Sequence, residues 1–545
     1  MRTLIKYISG FIGVMLLQTS CYEDKGNYDY HDVNTVEVTL PETKVRMPKE
    51  EALEVVITPQ ISQTLEKNES NLIFQWRKAK EGVKAGSDNI ADYEEISVGK
   101  ECKVTVEPYQ SENIGLMLVV TDKVNGTNWY KKGQITIIKP LNPCWFVLQE
   151  QEGKGVLGAI EGSSAGYYVY PDVFKSEANK SFPLEGKPLA VSARKEYGNK
   201  QASRLLSFLG FTANPALVLV TSQDAAVLAP ITLSVKFQAD KILFEPVNQG
   251  KPIKIDNYKM STHGELFVND GKAYLAYMDG FCVPYSVKSG EEYPSISAYG
   301  SSGSYLFFFD PVNHSFLKMS AYSTNNFMGT PRSSSFVRRF GSAWMDRPFA
   351  LRPVGQNSTV ENVFNPDAVD ASLEIKDIIS GGGDGSYAYA VGTTAHGNEL
   401  TVFKFSERDE DPLCAAKYTV LLPPGVNAAT AKFATSYAYT ANMLFMASGN
   451  TLYRVDLDRG RVAELYSYET DPSAQISCLK FKDSEEEEEL GRCVGLGINT
   501  ADKAIVVELQ LTVAGDVARS ENAQCVYEDT AHPFRKIVDI TYNYE

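Results

Sequence analysis

The feature that most constrains this sequence is a loose unit that recurs along residues 141 to 545. Each copy has an aromatic or aliphatic strand pattern, a tight turn rich in Gly, Asn or Asp, and a second strand pattern, which together indicate a β-hairpin. There are seven copies: CWFVLQEQEGKGVLGAI, PALVLVTSQDAAVLAPI, GELFVNDGKAYLAYM, SYLFFFDPVNHSFLKM, YAYAVGTTAHGNELTVFKF, NMLFMASGNTLYRVDL and CVGLGINTADKAIVVELQL. One copy per about 58 residues is close to the length of a propeller blade with its loops. Residues 141–545 are therefore predicted to form a β-propeller of about seven or eight blades.

Two details bear on how such a ring closes. The turns near residues 312 and 397 are the farthest apart of all, and this gap has room for an eighth blade. The last segment, RKIVDITYNYE, has a strand pattern and is predicted to return to the first blade, which would remove an exposed sheet edge. A row of β-sandwiches is the alternative architecture for this half of the chain.

The preceding residues, 36–140, predict a smaller β domain. Period-2 alternation begins at Val36, and Trp76 lies at the centre of a strand pattern, as a core aromatic would. Asn125-Gly126 lies between two β-rich runs, the strongest short-range hairpin signal. Five to seven short strands in about 100 residues are typical of an immunoglobulin-like sandwich. The Pro-rich segment KPLNP, residues 139–143, is predicted to separate the two domains, and 30 Tyr and 26 Phe agree with an all-β chain.

The N-terminus predicts export and a lipid anchor. Arg2 and Lys6 precede an apolar run too short to span a bilayer, so residues 1–20 are predicted to be a signal peptide. Cys21 follows at the position where bacterial lipoproteins are acylated. Residues 21–35 then form a predicted lipidated tether, in which Glu23 and Asp24 resemble the acidic signal that sends lipoproteins of Bacteroidetes to the cell exterior.

Charge and composition exclude several classes of function. The formal net charge is −15, and no Lys/Arg-rich patch is present, which argues against nucleic-acid binding. The eight cysteines are scattered without a CxxC pair, so no disulfide framework is predicted. The five histidines form no H-x-x-x-H or H-E-x-x-H pair, and we predict neither a metal site nor a cofactor.

The tether CYEDKGNYDY, the segment VVTDKVNG and the opening NPCWFVLQEQEGKGVL of the repeat half together resemble the PKD-like surface lipoproteins of Bacteroidetes. PKD denotes the polycystic-kidney-disease domain. The resemblance implies an outer-membrane protein facing the cell exterior, beside a TonB-dependent nutrient transporter and its lid-like binding lipoprotein. It also implies an accessory role in capturing or presenting oligosaccharides or peptides. Only Cys21 matches a functional residue of that family.

Two short motifs suggest chemistry and are better explained as turns. GSSAG, residues 162–166, matches a nucleophile elbow at Ser164, but the strand-like YYVYP that follows is incompatible with one. DLDRG, residues 456–460, opens like a calcium loop but lacks the glutamate at position twelve, so a hairpin turn is predicted.

One long polar segment, residues 321–353, is rich in aromatic residues and arginine. Long loops on a rigid scaffold often carry binding sites, and such side chains suit sugar rings or peptides. The candidate ligand-binding residues are Tyr322, Phe327, Arg338, Arg339 and Trp344. The alternative is that Trp344 and Phe336 belong to the core of a blade.

These observations favour a non-enzymatic surface lipoprotein that captures a nutrient oligomer, with no predicted catalytic residue. Two alternatives stay open. One is a glycosidase-like hydrolase with two carboxylates in the propeller funnel. The other is a structural partner of the transporter that binds no small ligand.

Overall fold

A computed structural model describes most of the chain beyond the N-terminal tether. The described residues are 34–48, 51–66, 68–83, 86–110, 112–163, 166–178, 180–194, 216–239, 252–261, 264–270, 272–276, 282–286, 296–302, 305–320, 349–350, 352–356, 360–382, 385–408, 410–482 and 491–544. The chain divides into two compact units, residues 1–139 and 140–545. We call them the N-terminal unit and the C-terminal unit.

The N-terminal unit is an immunoglobulin-like arrangement of nine short strands in its described part. The strands are β1 (Val36–Thr39), β2 (Thr43–Arg46), β3 (Leu53–Ile57), β4 (Gln60–Gln63), β5 (Leu72–Ala79), β6 (Tyr93–Val98), β7 (Cys102–Val106), β8 (Ile114–Asp122) and β9 (Asn128–Ile138). A five-stranded sheet has the order β2-β9-β8-β5-β6, and β1-β4 and β3-β7 form two-stranded sheets. A short 3₁₀ helix spans Ile90–Asp92.

Alternation along the strands builds the core of this unit. Leu72, Phe74 and Trp76 point to the same face of β5, and Trp76 is completely buried, as the sequence predicted. The predicted hairpin at Asn125-Gly126 is also confirmed: it joins β8 to β9, and Gly126 has a φ of +72° that suits glycine. Cys102 is buried and is a free thiol.

The C-terminal unit contains seven sheets in its described part, antiparallel except for one two-residue strand, which we number blades 1 to 7 in chain order. Blade 1 has β10 (Cys144–Gln151), β11 (Lys154–Ser163), β12 (Gly166–Tyr170) and β38 (Lys536–Asn543). Blade 2 has β13 (Pro188–Arg194), β14 (Ala216–Thr221), β15 (Ala225–Leu228) and β16 (Val235–Gln238). Blade 3 has β17 (Ile255–Ser261), β18 (Gly264–Asn269), β19 (Lys272–Ala276), β20 (Cys282–Ser286) and a parallel two-residue strand, β24 (Phe349–Ala350). Blade 4 has β21 (Ala298–Ser302), β22 (Tyr305–Asp310), β23 (Ser315–Ser320) and β25 (Arg352–Pro353).

Blade 5 has β26 (Glu374–Gly382), β27 (Tyr387–Thr393), β28 (Glu399–Ser406) and β29 (Cys414–Leu421). Blade 6 has β30 (Lys432–Ala434), β31 (Met443–Ser448), β32 (Thr451–Asp456) and β33 (Arg461–Ser467). Blade 7 has β34 (Gln475–Phe481), β35 (Cys493–Asn499), β36 (Ala504–Gln510) and β37 (Gln524–Tyr527). A short helix, α1 (Val173–Ala178), connects blades 1 and 2.

The seven blades form a closed ring, as a β-propeller requires. One edge strand of each blade contacts the corresponding strand of the next, in the cyclic order β38, β13, β17, β21, β26, β30, β34 and back to β38. These are the inner strands. The predicted return of the last segment is confirmed, because β38 pairs antiparallel with β10 and supplies the inner strand of blade 1. The ring therefore closes without a free inner edge.

The seven predicted hairpins are the second and third strands of each blade, counted from the inner strand in blades 2 to 7, and the pair β10–β11 in blade 1. The long gap between the turns near residues 312 and 397 does not add a blade to the described ring, because the inner strands of blades 4 and 5 contact each other directly. The backbone N–H of Ser301 in β21 also donates a 2.7 Å hydrogen bond to Ser380 Oγ in β26. The part of the chain that the structure describes thus forms a ring of seven blades.

The two rejected motifs lie in hairpins. Gly162 and Ser163 end β11 and pair with the start of β12, so a strand follows the GSSAG motif instead of a helix; Ser164 itself lies outside the described residues. Asp456–Gly460 joins β32 to β33 by a turn in which Gly460 has a φ of +59°. Among the described residues no group of three or more His, Cys, Asp or Glu side chains is placed to hold a metal ion.

Candidate functional site

Every residue that the sequence singled out for anchoring or ligand binding lies outside the described part of the chain. These residues are Cys21, Glu23, Asp24, Tyr322, Phe327, Arg338, Arg339 and Trp344. Of the predicted binding segment, residues 321–353, the structure describes only β24 and β25. These assignments therefore stay predictions.

The strongest candidate is a pocket on the described part of the connection between blades 4 and 5, residues 354–356 and 360–373. Phe364 anchors this connection, because its ring packs against Phe316 of blade 4 and against Phe403 and Phe405 of blade 5, with ring centroids 5.0 to 6.4 Å apart. Aromatic pairs at these distances contribute stability beyond the area that they bury. The connection is therefore held between two blades.

Hydrogen bonds fix the backbone beside Phe364. The Asn362 side chain donates to Gly355 O at 2.7 Å and accepts from the backbone N–H of Cys414 at 3.2 Å. The Val363 N–H donates to Cys414 O, and the Phe316 N–H donates to Pro366 O. Contacts with the outer strand of blade 5 and with β23 of blade 4 thus hold the wall of the pocket in place.

The pocket has a volume of about 370 Å³, within the range of small-molecule sites, and is open to solvent. Its lining is mostly polar and comprises Gly355, Gln356, Glu361, Asn362, Val363, Phe364, Asn365, Pro366 and Asp367. Within the described part of the chain, the side chains of Gln356, Glu361 and Asp367 have no hydrogen-bond or ion-pair partner. The side-chain oxygen of Asn365 accepts from the Asp367 N–H at 3.0 Å, which stabilises the turn. Three polar groups are therefore available to a ligand.

Two reactive groups lie near this wall. Burial raises the pKa of the Cys414 thiol to about 12, so this cysteine is protonated at neutral pH and is a poor nucleophile. Burial lowers the pKa of Lys318, whose ammonium lies 5.0 Å from the centre of the Tyr305 ring.

A second polar group lies on the inner strands. Lys259 of β17 reaches past β21 to β26, where its ammonium contacts the Asp377 carboxylate and donates a 2.6 Å hydrogen bond to Ile378 O. This lysine therefore links blade 3 to blade 5.

On blades 7 and 1, Lys480 Nζ lies 3.5 Å from Asp539 Oδ1, and Asp539 Oδ2 accepts from the Val191 N–H of blade 2 at 3.1 Å. Burial lowers the pKa of Lys480, but the Asp539 carboxylate, with smaller contributions from Cys478 and Asp377, outweighs it, and the net direction is upward. Burial raises the pKa of Asp539 against the opposing effect of the Lys480 ammonium. Each carboxylate of the group is paired with a lysine, so the arrangement is that of a structural network between blades.

Sequence reasoning missed the pocket and the inner-strand network. The predicted binding segment ends at residue 353, two residues before the pocket begins at Gly355. The available signal was a run of polar residues without strand periodicity directly after a strand pattern. The sequence contains 68 acidic residues, however, and nothing in it distinguishes those that lack an ion-pair partner.

Comparison with protein families gives one match. Residues 21–188 match the PKD-like family, a stretch that begins at Cys21, includes the N-terminal unit from there on, and ends at the first residue of β13. This result agrees with the resemblance seen in the sequence. None of the curated proteins matches the sequence.

Several solved structures are similar over much of the chain. A quinoprotein alcohol dehydrogenase-like protein from Bacteroides thetaiotaomicron is 11% identical, with a TM-score of 0.39, covering 88% of this chain and 93% of that one. An auxiliary nutrient binding protein from the same organism is 11% identical, with a TM-score of 0.31, covering 84% and 93%. BamB from Moraxella catarrhalis is 10% identical, with a TM-score of 0.26, covering 69% and 87%. Similarity at this level carries no information on activity.

Proposed function

We propose that this chain is a lipid-anchored protein of the outer-membrane surface that captures oligomeric nutrients. It acts as a non-enzymatic accessory of a TonB-dependent transporter and its binding lipoprotein. The PKD-like domain acts as a spacer, and the propeller carries the binding surface.

The proposed location at the outer-membrane surface rests on the N-terminal sequence. An apolar run that ends in TSC provides the acylation site at Cys21, and Glu23 with Asp24 supplies the surface-export signal. The family match supports this assignment because it begins at that cysteine. Within the described residues, no helix is both long enough and apolar enough to cross a bilayer. The acyl chains at Cys21 hold the protein to the membrane.

The observation that carries the binding role is the pocket between blades 4 and 5. Its backbone is fixed by tertiary hydrogen bonds, while Gln356, Glu361 and Asp367 have no partner among the described residues. A rigid wall with available polar groups binds a ligand without a large ordering cost. The hydrolase alternative gains no comparable support, since Asp377 and Asp539 are each paired with a lysine.

A pull-down from native outer membranes tests the proposal. The tagged full-length protein, extracted in mild detergent, should bring along a TonB-dependent transporter and its binding lipoprotein. Cys21→Ala should move the protein to the soluble fraction, whereas Cys525→Ser, which alters a half-buried thiol far from the N-terminus, should leave it on the membrane. Recovery of the protein alone, or membrane retention of Cys21→Ala, would contradict the proposal.

A further inference from the structure

We propose that the pocket on the connection between blades 4 and 5 binds an uncharged, hydroxyl-rich ligand, namely a stretch of neutral oligosaccharide. This inference rests on the proposed function and names the class of nutrient that the protein captures.

The lining offers both donors and acceptors. The Gln356 amide donates and accepts hydrogen bonds, whereas the carboxylates of Glu361 and Asp367 only accept. Sugar hydroxyls also donate and accept hydrogen bonds, so the several hydroxyls of an oligosaccharide can satisfy the three groups together. Hydroxyl hydrogen bonds to a carboxylate are charge-assisted and therefore stronger than neutral ones.

The charge of the pocket separates the ligand classes. The described lining contains two carboxylates and no lysine, arginine or histidine, so it repels uronic-acid or sulfated polymers. A cationic peptide would pair its ammonium groups with the carboxylates and would accept from the Gln356 amide through its backbone carbonyls. A neutral sugar meets both kinds of group through a single kind of substituent, the hydroxyl, and the oligolysine probe described below separates the two classes.

The shape of the pocket suits a polymer. Val363 is 62% exposed and provides an apolar surface beside the polar groups, against which the C–H face of a sugar ring can pack. The pocket is open to solvent, so a polymer that binds there can continue beyond it. Asn362 is held by hydrogen bonds and Phe364 by ring packing, so this surface has a fixed conformation before a ligand binds.

Binding measurements with defined polymers test the inference. The full-length acylated protein in mild detergent is assayed by biolayer interferometry against three neutral polysaccharides (dextran, mannan and xyloglucan), one anionic polysaccharide (polygalacturonate) and oligolysine. The pocket variant combines Glu361→Gln with Asp367→Asn, and a second variant is Gln356→Ala. The matched control combines Glu464→Gln of β33 with Asp502→Asn of the β35–β36 turn, both exposed and outside the pocket.

We expect at least one neutral polysaccharide to bind. Its affinity should fall about tenfold in each pocket variant, the effect of losing hydrogen bonds to charged or amide groups, and should stay unchanged in the control. The inference is overturned if no neutral probe binds, if the pocket variants bind it unchanged, or if oligolysine is the probe whose binding depends on the pocket.

The two proposals fail in different ways. A pocket variant that no longer binds the polysaccharide should still bring the transporter along from native membranes. Loss of the transporter from the wild-type pull-down would contradict the accessory role, whereas loss of polysaccharide binding concerns only the ligand class.

Discussion

Gly300 lies where the inner strands of blades 4 and 5 approach each other closely. A Cβ atom placed there would lie 2.3 Å from Ile378 O and 2.7 Å from Ile378 Cγ2. The first contact is with backbone, which cannot rotate away as a side chain can. Gly300→Ala is therefore expected to lower the free energy of unfolding by about 2 kcal/mol, the typical cost of overpacking, as measured by urea denaturation.

Gly166→Ala is the matched control for this substitution. Gly166 also lies in a strand of the propeller, but among the described residues no heavy atom beyond its chain neighbours lies within 4 Å of the position that its Cβ would take. The control should denature at the wild-type midpoint. Equal midpoints for Gly300→Ala and the wild type would show that blades 4 and 5 are less closely packed than the structure indicates.

Among the elements, the β8–β9 hairpin depends on one ionised side chain. Asp122 Oδ1 accepts from the Val124 N–H at 2.9 Å, and Oδ2 accepts from Asn34 Nδ2 at 3.1 Å. These hydrogen bonds favour the carboxylate and lower the pKa of Asp122. The folded state therefore favours the ionised form of Asp122. The stability that this carboxylate contributes is complete above the unfolded-state pKa of about 3.9 and is lost as the pH falls through the lower folded-state pKa.

Hydrogen exchange within residues 114–138 measures this contribution. At pH 6, Asp122→Asn should exchange faster than the wild type in this segment, because the amide nitrogen cannot accept a hydrogen bond. At pH 3 and below, the difference should shrink as the wild-type carboxyl is protonated. Asp502→Asn, at an exposed turn of blade 7, should match the wild type in this segment at both pH values; a difference that persists unchanged in acid would exclude Asp122 as the titrating group.

The elements that sequence predicted best are those that carry their own local signal. The middle strands of each blade are apolar and flank a tight turn, so all seven hairpins were found, and Asn125-Gly126 marked a hairpin of the N-terminal unit. The inner strands were harder to predict. β30 has three residues, Lys432–Ala434, and β26 contains Asp377, whose role depends on Lys259 of a different blade. No local sequence pattern encodes the short strand β30 or the pairing of Asp377 with Lys259.

The pocket was missed for a related reason. Its wall exists because Asn362 bonds to Cys414, 52 residues further along the chain, and because Phe364 packs between two blades. In the sequence, Glu361 and Asp367 are two ordinary acidic residues on a polar connection. A site that is formed by tertiary contacts between neighbouring blades has no signature within the connection itself.

For the whole molecule, completion of the propeller depends on the last strand of the chain. β38 supplies the inner strand of blade 1 and contacts the inner strands of blades 2 and 7. Asp539 accepts a hydrogen bond from the Val191 N–H, and Asn543 Nδ2 donates to Leu141 O at 2.8 Å. The C-terminal unit thus joins its first and last residues in one sheet, and its ring cannot close until both are present.

Removal of residues 536–545 is expected to abolish cooperative unfolding of the C-terminal unit. The truncation exposes edges of β10, β13 and β34 to solvent and removes the buried side chains of Ile537 and Ile540 from the packing between blades 1 and 7. Hydrogen exchange should show loss of protection in β10 and β13, while β8 and β9, whose sheet lies within the N-terminal unit, keep theirs. Deletion of residues 544–545 alone, which follow the strand, is the control and should keep protection in both units. Full protection of β10 after the longer truncation would mean that the ring closes without β38, contrary to the pairing described above.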